Sequence, residues 1–286
     1  MSALTPLPRI MLEPYVRAAL LEDLGAAGDV TSTGAIPANA RAEVRIAARK
    51  AGRIAGLDLA ALAFALIDPA VTFTPAIRDG EDVGAGGTLA TLTGPARAIL
   101  TGERVALNFL GHLSGIATQT RACVEAAAGT NARVCCTRKT TPTLRALEKY
   151  AVRAGGGFNH RFGLYDGILI KDNHIAIAGG ILPAVTAARA ASGHPLKIEV
   201  EIDGLQQLDE ALAAKADVIM FDNMSLADMT EGVKRVGARA LTEASGGVTL
   251  ERVAEIARTG VDLIAIGWIT HSAPTLDIGL DFDSLA

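Results

Sequence analysis

Five short apolar runs in the second half of the chain limit its fold most strongly, because polar residues or glycine stand within them or directly after them. The runs span residues 134–136, 168–170, 198–202, 218–221 and 263–266. Helical patterns separate most of them, as expected for buried parallel strands. In a (β/α) barrel the loops after the strands converge on one face, where active sites are built. We therefore expect distant cations and carboxylates to meet in one pocket of an α/β enzyme.

The pattern changes near residue 110, which predicts separate domains. In residues 1–110 strands and helices do not alternate regularly, as in an N-terminal α+β, sandwich-like domain with an antiparallel sheet. Residues 111–271 are predicted to form the catalytic barrel, incomplete because about six strands fall short of eight. The tail, residues 272–286, alternates apolar and polar residues from Leu276 to Phe282. It is expected to return as a strand to the N-terminal sheet.

Two further expectations concern residues 83–128. Residues 83–93 look like a strand pair punctuated by glycine. Residues 96–128 are predicted to form a long helix that is interrupted near Gly111 and Gly115 and bridges the two domains.

Composition excludes several classes of protein. Half of the 286 residues are apolar, enough for a large core, and 27 basic against 31 acidic residues give a net charge of -4. This balance argues against nucleic acid or an anionic membrane surface as a partner. The three cysteines lack disulfide or metal spacing, and neither a signal peptide nor a membrane span is indicated. We expect a cytoplasmic protein.

A basic segment, Thr137-Arg138-Lys139-Thr140, follows the first of the five runs. A helix with Pro142 in its first turn is predicted to come next and to end before Gly155. Arg138 and Lys139 would then lie near a helix N-terminus, where free N–H groups favour anions. A guanidinium can hold a carboxylate or phosphate through two hydrogen bonds. A solvated basic loop is the alternative.

More cations follow a triple glycine. His160 and Arg161 come after Gly155-Gly156-Gly157, which permits close ligand approach but also suits a plain turn. Lys171 directly follows an apolar strand, and a buried ammonium without a partner would be costly. It is therefore a strong candidate for function. Asp172 and His174 either support it or cap the next helix.

Carboxylates follow the next two strands. Glu199, Glu201 and Asp203 share one strand face because side chains repeat every two residues, and Asp222 ends the following run. Glu201 and Asp222 are predicted as the Mg²⁺ pair, since this ion takes one or two carboxylates with substrate phosphates and water. Internal pairing with Lys171 or Arg161 is the alternative, and Glu199 is interpreted as structural.

Two glycine loops suggest a phosphate site. Barrel phosphate sites often form in the loops after the last two strands, where N–H groups approach phosphate oxygens. The predicted phosphate-binding residues are Ser245, Gly246, Gly247, Ile266, Gly267, Trp268 and His271. No arrangement typical of a covalent nucleophile is present, which suits a group transfer in which one substrate attacks the other.

Several motifs together resemble the quinolinate phosphoribosyltransferase family over nearly the whole chain. The motifs are LEDL at 21–24, GDVT at 28–31, residues 102–118, TRKT at 137–140, residues 149–161, KDNH at 171–174, EVEID at 199–203, FDN at 221–223, SGG at 245–247 and the ending LDIGLDF. Many members carry an acidic residue just before TRKT, where this chain has Cys136.

The resemblance implies a decarboxylating reaction in NAD biosynthesis. Quinolinate and phosphoribosyl pyrophosphate would give nicotinate mononucleotide, pyrophosphate and carbon dioxide, with Mg²⁺. Quinolinate would be held by Arg138, His160, Arg161 and Lys171, with Thr137 and Lys139 beside the substrates. Glu201 and Asp222 would position ribose and Mg²⁺-pyrophosphate. The resemblance further implies a homodimer or larger homo-oligomer in which Arg104 reaches the partner's site.

Lys139, Lys171, Glu201 and Asp222 are the catalytic candidates, and the choice between the two lysines for decarboxylation stays open. Three alternative functions also stay open. They are a phosphoribosyltransferase-like protein associated with molybdate transport, a Schiff-base aldolase using Lys171, and a phosphate-ligand sensor without turnover.

Overall fold

The computed structural model describes residues 4–282. The first elements are α1 (Arg9–Leu24), α2 (Val30–Ala35), β1 (Arg41–Ala48), β2 (Gly52–Arg53), α3 (Leu57–Ile67), β3 (Thr72–Pro75), β4 (Asp82–Val83), β5 (Thr88–Pro95) and α4 (Ala96–Ala126). They are followed by β6 (Arg133–Cys135), α5 (Arg145–Ala154), β7 (Ile168–Ile170), α6 (Asp172–Ala178), α7 (Ile181–Ala191), β8 (Ile198–Ile202), α8 (Leu208–Ala213), β9 (Val218–Asp222), α9 (Leu226–Val236), β10 (Leu241–Ser245), α10 (Leu250–Arg258), β11 (Leu263–Ala265), α11 (Trp268–His271) and β12 (Ile278–Phe282).

The chain forms two compact units that are not continuous in sequence. One unit contains the chain up to Arg121, the segment Pro142–Gly156 with α5, and the chain from Ser272. The other contains Ala122–Thr141 and Gly157–His271. The sequence-based division at residues 110 and 271 instead places residues 111–121 and Pro142–Gly156 in the barrel domain. Residues 1–3 and 283–286 of the predicted domains lie outside the described residues.

The first unit is built on an antiparallel sheet in the order β12-β1-β5-β3. In β1, Val44, Ile46 and Ala48 are fully buried, as the alternation of the sequence predicts. Helix α3 packs on this sheet through Phe64, whose ring centroid lies 6.3 Å from that of Phe73. The side chain of Asp79 accepts the N–H groups of Gly56 and Leu57 at the start of this helix. The predicted N-terminal α+β domain is confirmed.

The tail joins the first unit as predicted. Strand β12 runs antiparallel to β1, with Ala48 opposite Ile278 and Val44 opposite Phe282. The predicted interruption of the long helix is wrong, because α4 continues without a break from Ala96 to Ala126. Its glycines serve packing instead. A Cβ at Gly115 would collide with the carbonyl oxygen of Pro274, and the Gly111 carbonyl accepts the N–H of Leu276.

Two other local expectations differ from the structure. The strands within residues 83–93 do not pair with each other, because β4 pairs with β2 whereas β5 lies between β1 and β3. Helix α5 begins at Arg145, so Pro142 precedes the helix rather than standing in its first turn. Leu147 and Ala151 of this helix are buried, and the N–H of Gly155 caps its end by donating to the carbonyl of Ala151.

The second unit contains six parallel strands in the order β6-β11-β10-β9-β8-β7. The five predicted runs form β6, β7, β8, β9 and β11, and β10 is the sixth strand. Within residues 4–282, β6 and β7 do not pair with each other, and only one bridge, from Cys135 to Phe158, extends the β6 edge. The predicted incomplete barrel is confirmed.

No single helix within residues 4–282 is long and apolar enough to cross a membrane. Helices α6 and α7 reach the required length and apolar composition only when taken together, and the chain bends by 92° between them.

Candidate active site

A cavity of about 580 Å³ lies at the carboxyl ends of the parallel strands of the second unit. Thr137, Arg138 and Lys139 follow β6, Lys171 follows β7, Glu201 lies near the end of β8, and Asp222 and Ser245 end β9 and β10. The cavity is lined by Thr137, Arg138, Lys139, His160, Arg161, Leu169, Lys171, Glu201, Met220, Asp222, Asn223, Glu243, Ser245, Gly246, Gly247 and Ala265. The fold thus brings together residues that are distant in sequence, at the edge where barrel enzymes build their sites.

Two arginines give one side of this cavity its positive charge. Burial lowers the pKa of the Arg161 guanidinium, and the like charge of Arg138 lowers it further. Glu199 and Asp166 partly offset this effect. Nη1 of Arg161 donates to the carbonyl of Gly167 at 3.0 Å, which anchors the side chain. Because the repulsion between the two guanidiniums is relieved by an anion, this wall of the cavity is suited to a carboxylate or phosphate.

Lys171 stands at the mouth of the cavity, paired with a carboxylate. Its Nζ lies 2.6 Å from Oε2 of Glu201, and its side chain is 46 % exposed. The backbone N–H of Lys171 donates to Nδ1 of His174, which makes His174 part of the capping box of α6. Of the two roles considered for His174, the structure therefore gives the helix cap.

Glu201 and Asp222 form the acidic part of the cavity. They lie on the neighbouring strands β8 and β9. Oδ2 of Asp222 accepts a hydrogen bond from Nδ2 of Asn223 at 2.8 Å. Two carboxylates that line the same cavity fit the needs of Mg²⁺, which keeps several waters and completes its shell with substrate phosphates. The pairing of Glu201 with Lys171, considered from the sequence, is present as well.

A smaller cavity of about 190 Å³ is formed by the loops after β10 and β11. Its lining includes Thr137, Lys139, Ser245, Gly246, Gly247, Val248, Ala265, Gly267, Trp268 and His271. Six of these residues also line the larger cavity, so the two are adjacent. Backbone N–H groups of glycine loops bind phosphate oxygens at close range.

Glycine is required at one position of the loop after β10. Gly246 has φ +90°, and a Cβ there would overlap the side chain of Asn223. Asn223 itself has φ 54°, which asparagine tolerates better than most residues, and its N–H donates to the carbonyl of Ser245. The β9 and β10 loops therefore fix each other's conformation.

The loop after β11 is held by hydrogen bonds on both sides. Nε1 of Trp268 donates to the carbonyl of Val248, and Oγ1 of Thr270 donates to that of Lys139. Gly267 permits the close approach of Lys139, Thr137 and His271. Ile266 lines neither cavity, because it is buried and its N–H donates to Cys135.

Arg104 lies on α4 in the first unit and lines a different pocket, of about 360 Å³. That pocket is lined by Ala19, Glu22, Asp23, Arg104, Val105, Asn108, Phe109, His112 and Leu144. The structure of one chain does not bring Arg104 into the lining of the large cavity.

A buried acidic pair, Glu199 and Glu243, lies beside His160 at the large cavity, which Glu243 and His160 also line. Nε2 of His160 is 2.8 Å from Oε2 of Glu199 and 3.7 Å from Oε1 of Glu243. Burial, and then the charge of Glu199, raise the pKa of Glu243 well above its usual range. Sequence reasoning missed Glu243, Asn223 and Met220. Glu243 had no clear signal in the sequence, because its strand β10 is not among the five apolar runs.

Two family models match this chain. The N-terminal domain model of quinolinate phosphoribosyl transferase matches residues 29–114, and the C-terminal domain model matches residues 116–281. The chain belongs to the quinolinate phosphoribosyl transferase family. The resemblance read from the sequence is therefore confirmed.

Curated members of the quinolinate phosphoribosyl transferase family align over nearly the full chain. A protein of Bacillus subtilis (strain 168), called probable nicotinate-nucleotide pyrophosphorylase [carboxylating], is 49% identical over 272 residues, covering 95% of this chain and 93% of the relative. A protein of Mycobacterium leprae (strain TN), called nicotinate-nucleotide pyrophosphorylase [carboxylating], is 45% identical over 93% of this chain and 95% of the relative.

Solved structures of the family share the fold. NadC from Streptococcus pyogenes superposes with a TM-score of 0.93 at 40% identity, covering 98% of this chain and 100% of that one. The nicotinate-nucleotide pyrophosphorylase from Francisella tularensis superposes with a TM-score of 0.94 at 37% identity, covering 99% of this chain and 100% of that one.

Proposed function

We propose that this chain transfers the phosphoribosyl group of phosphoribosyl pyrophosphate to quinolinate, with loss of carbon dioxide, in the synthesis of NAD. The products would be nicotinate mononucleotide, pyrophosphate and carbon dioxide. Family membership supports the class of reaction. The single observation that carries the proposal is a cavity that has cations at one wall, carboxylates at another and an adjoining glycine-rich pocket.

The cationic wall is suited to the two adjacent carboxylates of quinolinate. Arg138 and Arg161 repel each other across the space that a dianion would fill, and Lys171 adds a positive charge at the mouth. Lys139 lines both cavities and is suited to contact either substrate. Because His160 already hydrogen-bonds Glu199, its contribution to quinolinate binding is proposed to be indirect.

The other half of the site suits phosphoribosyl pyrophosphate. The 5′-phosphate would occupy the small pocket, against Ser245, Gly246, Gly247 and Gly267, with Trp268 and His271 as further walls. Glu201 and Asp222 would hold Mg²⁺, which supplies positive charge to the pyrophosphate leaving group. The same carboxylates would stabilise positive charge that develops on the ribose ring.

In this arrangement the pyridine nitrogen of quinolinate attacks the anomeric carbon as the bond to pyrophosphate breaks. Holding the two reactants in line supplies much of the rate. The bond from the adjacent ring carbon to its carboxylate then breaks, carbon dioxide leaves, and the positive charge of the quaternised nitrogen stabilises the electron pair left on that carbon. A proton replaces the carboxylate on the ring. Lys139 and Lys171 both remain proposed assistants of this step.

Lys171 is less suited to a Schiff-base mechanism. Its ammonium donates to Glu201 at 2.6 Å, whereas an imine-forming lysine must offer a neutral amine. The paired acids Glu201 and Asp222 likewise favour turnover over mere sensing of a phosphate ligand, because a sensor has little need of a metal site for a leaving group.

We also propose that the chain works as a homodimer or larger homo-oligomer in the cytoplasm. The family resemblance implies that Arg104 serves a site on the partner chain, and within one chain this arginine lines a pocket of the first unit. Analytical ultracentrifugation, and complementation in mixtures of Arg104→Ala and Lys171→Ala proteins, would test this. All three cysteines are buried and none forms a disulfide within residues 4–282, which agrees with a reducing compartment.

The function is tested by mixing purified protein with quinolinate, phosphoribosyl pyrophosphate and Mg²⁺ and measuring nicotinate mononucleotide and carbon dioxide together. Equal amounts of the two products are expected. A folded protein that binds phosphoribosyl pyrophosphate but forms neither product would refute the proposal and favour a sensor or the molybdate-associated relatives. Borohydride trapping of a carbonyl substrate on Lys171 would favour an aldolase.

A further inference from the structure

Glu199 and His160 form a buried pair that the proposed chemistry does not use directly. Glu199 does not line the 580 Å³ cavity but a separate one of about 410 Å³ that shares His160, Arg161 and Glu243 with it. The Glu199 side chain is 8% exposed and that of His160 is 13% exposed. A carboxylate kept this deep beside a binding site needs a reason, because burying its charge is costly.

The hydrogen bonds of His160 define its tautomer. The backbone N–H of Arg161 donates to Nδ1 of His160 at 2.7 Å. A backbone N–H can only donate, so Nδ1 must offer its lone pair, and Nε2 carries the proton. Nε2 then donates to Oε2 of Glu199 at 2.8 Å. The two ring nitrogens thus connect Glu199 to the main chain of Arg161.

Arg161 is consequently held at both ends. His160 fixes its main chain, and the carbonyl of Gly167 accepts a hydrogen bond from its Nη1. The negative charge of Glu199 also stabilises the guanidinium, against the effects of burial and of Arg138. A guanidinium binds a planar carboxylate well only when its orientation is fixed.

We propose that Glu199 is a positioning residue for the binding of quinolinate, and that it acts through His160 on Arg161. This inference rests on the proposed function. Glu199 does not touch the substrate. It holds His160 in the Nε2–H tautomer, and His160 in turn holds Arg161 in the orientation that receives a substrate carboxylate.

Kinetics of two substitutions test the role. Glu199→Leu removes the acceptor for Nε2–H, so the KM for quinolinate should rise about tenfold, as expected for the loss of one hydrogen bond to a charged group. The KM for phosphoribosyl pyrophosphate should change less than about twofold. Glu199→Gln keeps a carbonyl oxygen that accepts from Nε2–H, so it should restore most of the quinolinate affinity. Glu255→Leu makes the same change at an exposed position of α10 and should behave like wild type.

A second measurement is made on the wild-type protein and uses a variant only to assign one signal. Long-range ¹⁵N–¹H correlation spectra of the five histidines, with the His160 signal assigned by His160→Gln, should show a neutral Nε2–H ring. An Nδ1–H ring or an imidazolium at neutral pH would refute the positioning role, as would equal increases of both KM values in Glu199→Leu. A wild-type protein that forms no nicotinate mononucleotide would instead refute the proposed function and, with it, the substrate assigned to Arg161.

Discussion

Glu199 and Glu201 stand two residues apart on the same face of β8, yet their surroundings differ. Glu201 lines the large cavity and pairs with Lys171, which is 46% exposed. Glu199 lies deeper and bonds to His160, which is 13% exposed. The comparison teaches that the position along one strand face separates a residue proposed to meet the substrates from a residue proposed to hold their binding groups in place. The shallow group has Arg138, Lys171, Glu201 and Asp222, and the deep group has His160, Glu199 and Glu243.

The largest effect is expected from removing a shallow cation. Arg138→Ala and Lys171→Ala should each lower kcat/KM for quinolinate by about 100-fold, because each removes a charged partner of a substrate carboxylate. Steady-state kinetics with both substrates would measure this, and circular dichroism should show an unchanged fold. Normal quinolinate kinetics in either variant would refute the assignment of the cationic wall.

The shallow acids should give the next largest effect. Asp222→Asn removes a charge from the proposed metal pair and should lower kcat/KM for phosphoribosyl pyrophosphate by about tenfold or more. The concentration of Mg²⁺ needed for half-maximal rate should rise, which titration of the metal would measure. An unchanged dependence on Mg²⁺ would argue against a metal role for Asp222.

A glycine next to the shallow acids tests the phosphate pocket. Gly246→Ala should raise the KM for phosphoribosyl pyrophosphate about tenfold, because φ +90° is strained for alanine and its Cβ would displace Asn223. Gly237→Ala is a matched control, since Gly237 also has positive φ but nothing lies within 4 Å of its added Cβ. Equal KM values in the two variants would contradict a phosphate site in the β10 loop.

The smallest effect concerns the deep group and appears in stability rather than kinetics. Because the folded protein raises the pKa of Glu243, it keeps a proton at pH values where the unfolded chain has lost it. The contribution of Glu243 to stability is therefore fully present below its pKa in the unfolded chain. It is lost as the pH rises toward its higher pKa in the folded protein.

Urea unfolding of wild type and Glu243→Gln at about pH 5 and about pH 8 would measure this loss. The free energy of unfolding should fall more in wild type over this range than in Glu243→Gln, because the amide does not titrate. Parallel pH dependences in the two proteins would contradict a buried, protonated Glu243.

The sequence predicts the fold and the shallow group well, for physical reasons. An apolar run that is followed by Lys171 or ends in Asp222 indicates a buried strand and also marks its carboxyl end. In a barrel the loops at these ends converge on one face, so the position of the cavity can be predicted from the fold. The continuous α4 was harder to predict, because Gly111 and Gly115 resemble helix breaks until Pro274 and Leu276 are seen to pack against them.

The deep group was mostly hidden from the sequence. The interpretation of Glu199 as structural agrees with its burial, but its partner His160 is 39 residues away, and nothing local indicates the contact. Glu243 was missed because the β10 segment has few apolar residues, whereas the other strands were recognised by their apolar runs. Contacts between strands depend on the register of the sheet, which sequence patterns alone do not specify.

A crystal structure with quinolinate bound would test the division between shallow and deep groups most directly. The account predicts quinolinate in the 580 Å³ cavity with its carboxylates on Arg138, Arg161 and Lys171, and with the bond from His160 Nε2 to Glu199 intact. Quinolinate bound away from these cations, or a substrate carboxylate that replaces Glu199 on His160, would contradict it.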